Sequence, residues 1–267
     1  SPNRTTGWIV EGCEIRYNAA AGVGLGHKMK VLRNNIHHNG QIGIAGTGDS
    51  ILIEGNEIAY NNYQHTYSYG FEAGGTKFTR TRWLVVRGNY SHHNWGSGLW
   101  TDIDNIHTLY ESNRVSDNAA QGIFHEISYD AVIRNNIIER NGFEKTWYYG
   151  AGIQINHSPN VEVYGNTVTG NQNGIIGLQQ DRGSGAYGPH LLSNLHVHDN
   201  TITVGSGRSG VAQDVGDNTI FTDRNNRFAQ NIYYVGTNST PFAWLNGNRT
   251  ISQWQSYGQD QSGIFNR

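Results

Sequence analysis

Two acidic residues occupy equivalent places in neighbouring copies of one short pattern. Each copy opens with a glycine and an apolar residue, and a carboxylate follows four residues after the glycine: Asp102 in the first copy and Glu126 in the second. The two acids are 24 residues apart. On adjacent strands their backbones would be roughly 4.8 Å apart, close to the carboxyl separation of ~5–5.5 Å in retaining glycosidases. The pair predicts glycoside hydrolysis with retention, with Asp102 as the nucleophile and Glu126 as the general acid/base.

Further polar side chains align with this pair when the segments are superposed at their glycines. Glu72, Gln154 and Asn156 then share the outer face of successive strands, because alternate residues of a strand point to one face. An isolated acid is usually a solvated surface group, but three aligned acids favour a sugar-binding groove. We predict that Glu72 is a third catalytic residue, which holds a sugar hydroxyl or tunes Asp102. Lys77 is its predicted ion-pair partner and a substrate contact. The other substrate-binding candidates here are Trp100, Asp104, His125 and His157.

A repeated Asn-x-apolar-x-x-Asn unit runs along the chain. Full copies begin at Asn34, Asn56, Asn89, Asn113, Asn136, Asn166 and Asn226, and degenerate copies begin at Cys13 and Asn200. The short spacings, near 22 residues, are typical of one coil of a solenoid. The 31 asparagines and 35 glycines suit its many turns. We predict an all-β, right-handed parallel β-helix of about nine or ten coils, with the asparagines stacked in the turns.

The long spacings mark insertions into this solenoid. They fall at Tyr60–Tyr69, Gly142–Tyr149 and Gln180–Leu192, and they are rich in Tyr, Trp and His. Insertions in a solenoid map to one face and often build its binding site. Trp147 is therefore predicted either to stack on a sugar ring or to cover apolar surface. We divide the chain into a β-helix domain at residues 1–241 and an apolar C-terminal capping segment at 242–267.

Composition limits the partners. The net charge is −2 and no apolar run approaches ~18 residues, so we predict neither a nucleic-acid nor a membrane partner. One cysteine, Cys13, excludes an internal disulfide. We expect a mature or trimmed piece of a longer, secreted protein that acts on plant or microbial polysaccharide or oligosaccharide. The sequence indicates no oligomeric state.

Metal binding receives little support from the histidines. His37-His38 and His92-His93 recur inside the asparagine unit, but consecutive residues of a strand point to opposite faces. No HExxH or CxxC spacing is present. We predict no metal site and no cofactor, although calcium held by aspartates and backbone oxygens stays open.

The segment from Gly98 to Asn136 resembles the β-helical glycosidases, above all the β-xylosidases of glycoside hydrolase family 120. The matching stretches are Leu99-Trp100-Thr101-Asp102 and Phe124-His125-Glu126. The resemblance implies that Asp102 is the nucleophile, that Glu126 is the acid/base and that Glu72 matches a further glutamate. The chain departs from the family after Glu126, where the sequence ISYD replaces a His-Gly-Pro turn, and it lacks the added β-sandwich.

Two other function classes stay open. A polysaccharide lyase or epimerase would need a base and a cation near a uronate carboxylate, for which Lys77, Arg80 and Arg82 are candidates. The Asp-Pro-His-Asp motif of mannuronan epimerases is absent. A non-catalytic carbohydrate-binding solenoid would keep the aromatic insertions but would need no paired acids. The fold alone does not choose among these classes.

Overall fold

The structure is a computed structural model and describes residues 6–267. Residues 1–5, the start of the predicted domain 1–241, lie outside the described residues. The first strands are β1 (Ile9–Glu11), β2 (Glu14–Arg16), β3 (Ala21–Leu25), β4 (Lys30–Leu32), β5 (Asn35–His37), β6 (Ile42–Asp49), β7 (Leu52–Glu54), β8 (Glu57–Ala59), β9 (Gly74–Arg82), β10 (Val85–Arg87), β11 (Tyr90–His92), β12 (Leu99–Asp102), β13 (Thr108–Glu111), β14 (Arg114–Ser116), β15 (Ile123–Glu126) and β16 (Ala131–Arg134). The remaining elements are β17 (Ile137–Glu139), β18 (Ala151–Asn156), β19 (Val161–Tyr164), β20 (Thr167–Thr169), β21 (Asn173–Gln179), β22 (Ser184–Gly185), β23 (Gly188–Pro189), β24 (His196–His198), β25 (Thr201–Thr203), β26 (Ser209–Gln213), α1 (Thr219–Thr222), β27 (Arg227–Ala229), β28 (Ile232–Tyr234), β29 (Phe242–Trp244), β30 (Gly247–Arg249), α2 (Ile251–Ser256) and β31 (Ile264–Asn266).

Three long sheets form the molecule, and the chain visits them in turn once per coil. Sheet A has the order β1-β4-β7-β10-β13-β16-β19-β24-β27. Sheet B has the order β2-β5-β8-β11-β14-β17-β20-β25-β28-β31. Sheet C has the order β3-β6-β9-β12-β15-β18-β21-β26-β29-β30. All of these neighbours are parallel except β29 and β30. This confirms the predicted all-β, right-handed parallel β-helix, and the nine or ten strands per sheet agree with the predicted coils.

Asparagine ladders hold two of the corners between sheets. Asn89 shows the pattern: its backbone N–H and its Nδ2 both donate to Oδ1 of Asn113 one coil on, at 3.0 Å. The same Nδ2 donates to the carbonyl of Ile53 one coil back, at 2.9 Å. The residue before a ladder asparagine has positive φ, as at Gly88 (63°) and Ser112 (55°), which turns the chain from one sheet to the next. The ladder therefore supplies partners to backbone groups that the turns leave unpaired.

The inward side chains of all three sheets form one apolar core. Leu99, Ile123 and Ile153 follow one another along sheet C and are fully buried there. The outer face of sheet C is covered as well, because Trp100 and Phe124 point outward yet are 5% and 6% exposed. Only additional chain lying over that face can account for this burial.

The three insertions provide that cover. Loops 60–73 and 142–150 leave the corner between sheets B and C, and loop 180–192 leaves the opposite edge of sheet C. The Tyr69 hydroxyl of the first loop donates to the carbonyl of Glu144 in the second, at 2.8 Å. The loops therefore flank sheet C on both sides and make its outer face the floor of a cleft.

The segment 242–267 closes one end of the coil stack and also extends it. β29 pairs with β26 in sheet C, and β31 pairs with β28 in sheet B. Helix α2 places the fully buried Trp254 against the core. The boundary between 241 and 242 stays a prediction, since the segment shares the sheets with the rest of the helix. Within residues 6–267, no helix is long and apolar enough to cross a membrane.

Candidate active site

A cleft of about 350 Å³ opens on the outer face of sheet C, between loops 60–73 and 180–192. Its lining residues are Gly70, Phe71, Glu72, Lys77, Trp100, Asp102, Ile103, Glu126, Ile127 and Arg182. Larger grooves of about 670 and 690 Å³ lie elsewhere. Neither of them is lined by a buried carboxylate that has an unpaired oxygen, whereas this cleft is. We therefore take the cleft as the candidate site.

The parallel register brings the two principal acids together. Asp102 and Glu126 are the last residues of β12 and β15, and the residues just before them, Thr101 and His125, are partners in the sheet. The two acids therefore sit side by side on neighbouring strands, at a backbone spacing of roughly 4.8 Å. Both line the same cleft.

Glu72 occupies a different place from the one predicted. In the sheet, Asp102 pairs with Thr79. Lys77 therefore lies beside Trp100, because each is two residues earlier on its own strand. Glu72 precedes β9 and has φ of +55°. The superposition at the glycines took Gly70 as the start of the strand in this coil, which was wrong. The strand begins only at Gly74, after a long insertion. Glu72 still enters the cleft, but from the loop and not from the strand.

Lys77 connects two of the three acids. Its Nζ lies 2.7 Å from Oδ2 of Asp102 and forms a second ion pair with Glu72. The ammonium also lies over the ring of Trp100, 3.9 Å from the centroid, a favourable cation–π position. Oδ1 of Asp102 is buried and has no hydrogen-bond partner among the described residues. One oxygen of this carboxylate is therefore held by Lys77, whereas the other is buried without a hydrogen-bond partner.

Glu126 has a different environment. Burial and, after it, the negative charge of Asp102 raise its pKa to about 7, against the opposing effect of Arg182 and Lys77. Arg182, from loop 180–192, approaches Oε1 of Glu126 with Nη1 at 2.9 Å. The side chain of Glu126 keeps 13% of its exposure, so it reaches the cleft. Near neutral pH this carboxyl exchanges a proton readily, as a general acid/base must.

Three more predicted residues lie beneath the loops next to the acids. Asn156 is the strand partner of Glu126, and Gln154 is the partner of Phe124. Gln154 donates to Oδ1 of Asn156 at 3.1 Å. His157 accepts a hydrogen bond from the backbone of Gln180 at 2.8 Å, and burial lowers its pKa to about 3. None of the three lines the open cleft, so we no longer expect them to contact substrate in this conformation.

These residues nevertheless share one property with Trp100 and Asp102. Each carries a buried polar atom without a hydrogen-bond partner in the described part of the chain: Trp100 Nε1, Asp102 Oδ1, Gln154 Oε1, Asn156 Nδ2 and His157 Nε2. They are five of the nine such atoms found in residues 6–267. An unsatisfied buried polar group costs about 1–3 kcal/mol. Four of the five atoms lie on the outer face of sheet C and the fifth, in His157, directly follows β18. This concentration is unusual and is what a binding surface would show.

The remaining predicted residues lie elsewhere. His125 points into the core, where Nδ1 is 2.7 Å from the Thr101 hydroxyl and Nε2 is 2.7 Å from the carbonyl of Tyr129. It is fully buried, so its prediction as a substrate contact was wrong. Asp104 holds loop 180–192 through His190, at 3.1 Å. Trp147 is half exposed on loop 142–150, outside the cleft lining.

Arg182 is the cleft residue that sequence reasoning missed. It is 56 residues from Glu126 in the chain, and its approach depends on how loop 180–192 folds back over sheet C. The loop is pinned there by Asp104 and by the Tyr149 hydroxyl, which donates to Oε1 of Gln180 at 2.7 Å. The only signal in the sequence was that the insertion exists. The three cleft acids are all engaged with Lys77 or Arg182, so they offer no ready-made metal site.

Comparisons with known proteins bear on the fold. The model of the family described as right handed beta helix region matches residues 3–202. No curated protein matches the chain. Among solved structures, the crystal structure of Dettilon tailspike protein is similar with 13% identity and a TM-score of 0.44, covering 98% of this chain and 60% of that chain. This chain thus spans about 60% of the tailspike chain's length, and at this identity and score the likeness carries no functional argument.

Neither match names a glycoside hydrolase family, so the resemblance to family 120 stays a hypothesis about the cleft. The family match, in contrast, extends over 200 of the 267 residues. It covers most of the stacked coils that the three sheets display. The chain belongs to the right handed beta helix family.

Proposed function

We propose that the cleft of sheet C hydrolyses a glycosidic bond of a plant or microbial polysaccharide or oligosaccharide, with retention of configuration. The observation that carries the proposal is the unequal pair of acids. Asp102 is fixed by Lys77 and keeps a free Oδ1, whereas the pKa of Glu126 is raised to about 7. Retaining hydrolysis needs one ionised and one protonated carboxyl at short distance. We further propose that the protein acts outside the cell.

The first step forms a covalent intermediate. A carboxylate oxygen of Asp102 attacks the anomeric carbon while the bond from that carbon to the leaving oxygen breaks. The proton of Glu126 moves to the leaving oxygen, which departs as a free hydroxyl. Lys77 stays beside Oδ2 of Asp102 and holds the carboxylate in place for the attack.

The second step regenerates the enzyme. Glu126, now a carboxylate, removes a proton from water as the water oxygen attacks the anomeric carbon. The bond between the sugar and Asp102 breaks, so the carboxylate is restored and Glu126 is protonated again. Arg182 steadies Glu126 in its ionised state between the two steps, at 2.9 Å.

Product stereochemistry tests the proposal. The protein is incubated with xylan-type and arabinose-type oligosaccharides, and the first product is read by proton NMR before mutarotation. Retention is expected, and D102A and E126A should each lose activity. With an activated aryl glycoside as substrate, azide should rescue both: D102A to give an inverted glycosyl azide, and E126A to give a retained one. The matched variant E54Q, in a surface pair with Arg87, should keep full activity. Inversion, or an active E126Q, contradicts the assignment.

A lyase is the second candidate, and one observation favours it. Lys77 and Arg182 place two cations in the cleft, which suits a uronate carboxylate. Arg80 and Arg82 do not line the cleft, and Arg82 is paired with Asp49 at 2.9 Å. An unsaturated product from uronate oligosaccharides, detected by ultraviolet absorbance, would establish the lyase. Binding without any product would establish the carbohydrate-binding module.

A further inference from the structure

A second cluster of reactive side chains lies on the outer face of sheet A, a different sheet from that of the cleft. Glu162 on β19 is the strand partner of His196 on β24, and His198 follows two residues later. The two histidines therefore share a face, as alternate residues of one strand do. One ligand atom from each of the three side chains lies within 4.8 Å of the others. Two imidazoles and a carboxylate are a set that divalent transition metals bind.

The orientation of His198 is already fixed. Its Nε2 lies 3.2 Å from Oε1 of Glu162, and its Nδ1 lies 2.6 Å from Oδ2 of Asp199. A carboxylate on the far nitrogen is the usual partner of a metal-binding histidine, because it holds the tautomer and aims the ring. Arg227, the strand partner of His196, donates to Oδ1 of Asn225 at 2.9 Å. One nitrogen of its guanidinium is therefore engaged, although its charge still acts on His196.

The rest of the molecule provides an internal comparison. A Glu–His pair in the same register occurs at Glu14 with His37, 3.3 Å apart, and at Glu57 with His92, 3.1 Å apart. The pair by itself is thus a recurring element of this solenoid and needs no metal. One difference is the residue two positions before the histidine, which is Asn35 in the first pair.

In the second pair that residue is Tyr90, whose ring lies 4.0 Å from the ring of His92 at an interplanar angle of 30°. The rings of His196 and His198 are 4.1 Å apart at the same angle of 30°. His196 thus stands where the second pair has a tyrosine. The residue after the histidine also differs, because Nδ1 of His92 faces His93 at 2.8 Å whereas Nδ1 of His198 faces Asp199 at 2.6 Å. A tyrosine ring would fill the same space, but only the imidazole adds a third good ligand.

We propose that Glu162, His196 and His198 bind one divalent transition-metal ion, with Asp199 orienting His198. Glu162 is exposed and the histidines are half-buried, so the ion would keep open positions for water or an external ligand. This site is independent of the proposed hydrolysis, since it stands on another sheet.

Isothermal titration with Zn²⁺ tests the site. The chain is prepared without a histidine tag and with the exposed Cys13 changed to serine. One ion per chain is expected. H196Y, which copies the Tyr90 arrangement, should weaken binding at least about tenfold, and D199N should weaken it about ten- to a hundredfold. H92A, which breaks the matching pair, should leave affinity unchanged. Circular dichroism checks that each variant is folded.

Two results would overturn the proposal. The first is the absence of a stoichiometric Zn²⁺ site in the parent protein. The second is an equal loss of affinity in H92A and H196Y, which would place the ion elsewhere. Because H196Y retains a ring of similar size in the same position, loss of folding is not expected to obscure the comparison.

Discussion

Two effects raise the pKa of the Glu126 carboxyl. Burial alone disfavours its ionised form, and the neighbouring charge of Asp102 disfavours it further. Arg182 opposes both, but it is partly solvated and its effect is smaller. The same two acids in exposed positions would both be ionised at neutral pH. The covering loops thus place two similar carboxyl groups in unequal environments.

This imbalance predicts a pH-dependent effect of E126Q on stability. The folded pKa of about 7 lies above the 4.5 of a free glutamate. The folded protein therefore holds a proton that the unfolded chain releases, and stability falls as the pH rises from 4.5 to 7. The loss amounts to roughly 3 kcal/mol. Glutamine stays neutral, so E126Q should be more stable than the parent at pH 8 and equal to it at pH 4.

Thermal unfolding followed by circular dichroism at both pH values measures the difference. The control is E54Q, which removes a glutamate paired with Arg87 on the surface and should give no gain at pH 8. A Tm for E126Q that is not raised at pH 8 would show that Glu126 ionises normally in the fold.

Lys77 predicts a second residue-scale effect. K77M keeps the contact with Trp100 but leaves Asp102 and Glu72 without their counter-charge. Removing one partner of a buried pair costs about 3–5 kcal/mol, and we expect the low end because Glu72 is partly exposed. The double variant K77M/D102N should lose less than the sum of the single variants. Urea unfolding at pH 7 measures all three, and strict additivity would mean that the pair does not interact.

The sequence allowed only part of this site to be predicted, for a physical reason. Asp102 and Glu126 lie on adjacent coils of one sheet, and their relation depends only on the repeat length. Glu72 and Arg182 come from insertions, whose paths are set by contacts far apart in the chain. His125 was wrongly predicted to contact substrate because it precedes Glu126. The alternation of side chains along the strand instead points it inward.

At the scale of the elements, the regular repeat of the chain lies in the asparagine ladders at the corners between sheets. Each ladder asparagine supplies a donor and an acceptor to backbone groups that no strand satisfies, as Asn113 does for Asn89 and for the carbonyl of Val86. This is why the asparagine spacing alone predicted the coils. The same corners explain an error concerning the histidine pairs. His38 has φ of +53°, so strand alternation does not apply, and its Nδ1 lies 2.8 Å from that of His37.

The proposed metal-binding cluster was not predicted from the sequence, for a related reason. The sequence prediction considered only adjacent histidines. His196 and His198 are two residues apart, which places them on one face of β24. Their carboxylate partner, Glu162, lies one coil away across an insertion. A search for histidines two apart on a strand would have found the pair, but only the register between β19 and β24 adds the glutamate.

The loss of stability on replacing a ladder asparagine should depend strongly on its position in the ladder. N113A, in the middle of a ladder, removes the acceptor for the backbone N–H of Asn89 and the donor to Val86. With two buried groups unpaired, the free energy of unfolding should fall by roughly 2–4 kcal/mol. N18A, at the exposed start of the other ladder, should change it by less than about 0.5 kcal/mol. Urea unfolding compares the two, and equal losses would contradict a cooperative ladder.

At the scale of the whole molecule, a solenoid has a core that is open at its ends. Each coil covers its neighbours, so the last coil needs another surface over it. At the C-terminal end of the stack, α2 begins with a capping box at Thr250 and seats Trp254 over the core. The stability of the stack should therefore depend strongly on this cover.

The stability of this end of the stack depends on Trp254. Its ring is fully buried, stacks on Phe242 at 4.6 Å between centroids and meets Phe228 edge-on at 5.1 Å. W254A should therefore lower the free energy of unfolding by about 3–5 kcal/mol, and hydrogen exchange should quicken first in β28 and β31. The control Y257A, at the exposed end of the same helix, should cost less than about 1 kcal/mol. If W254A instead speeds exchange uniformly along all three sheets, the coils unfold as one unit and the end is not a separate weak point.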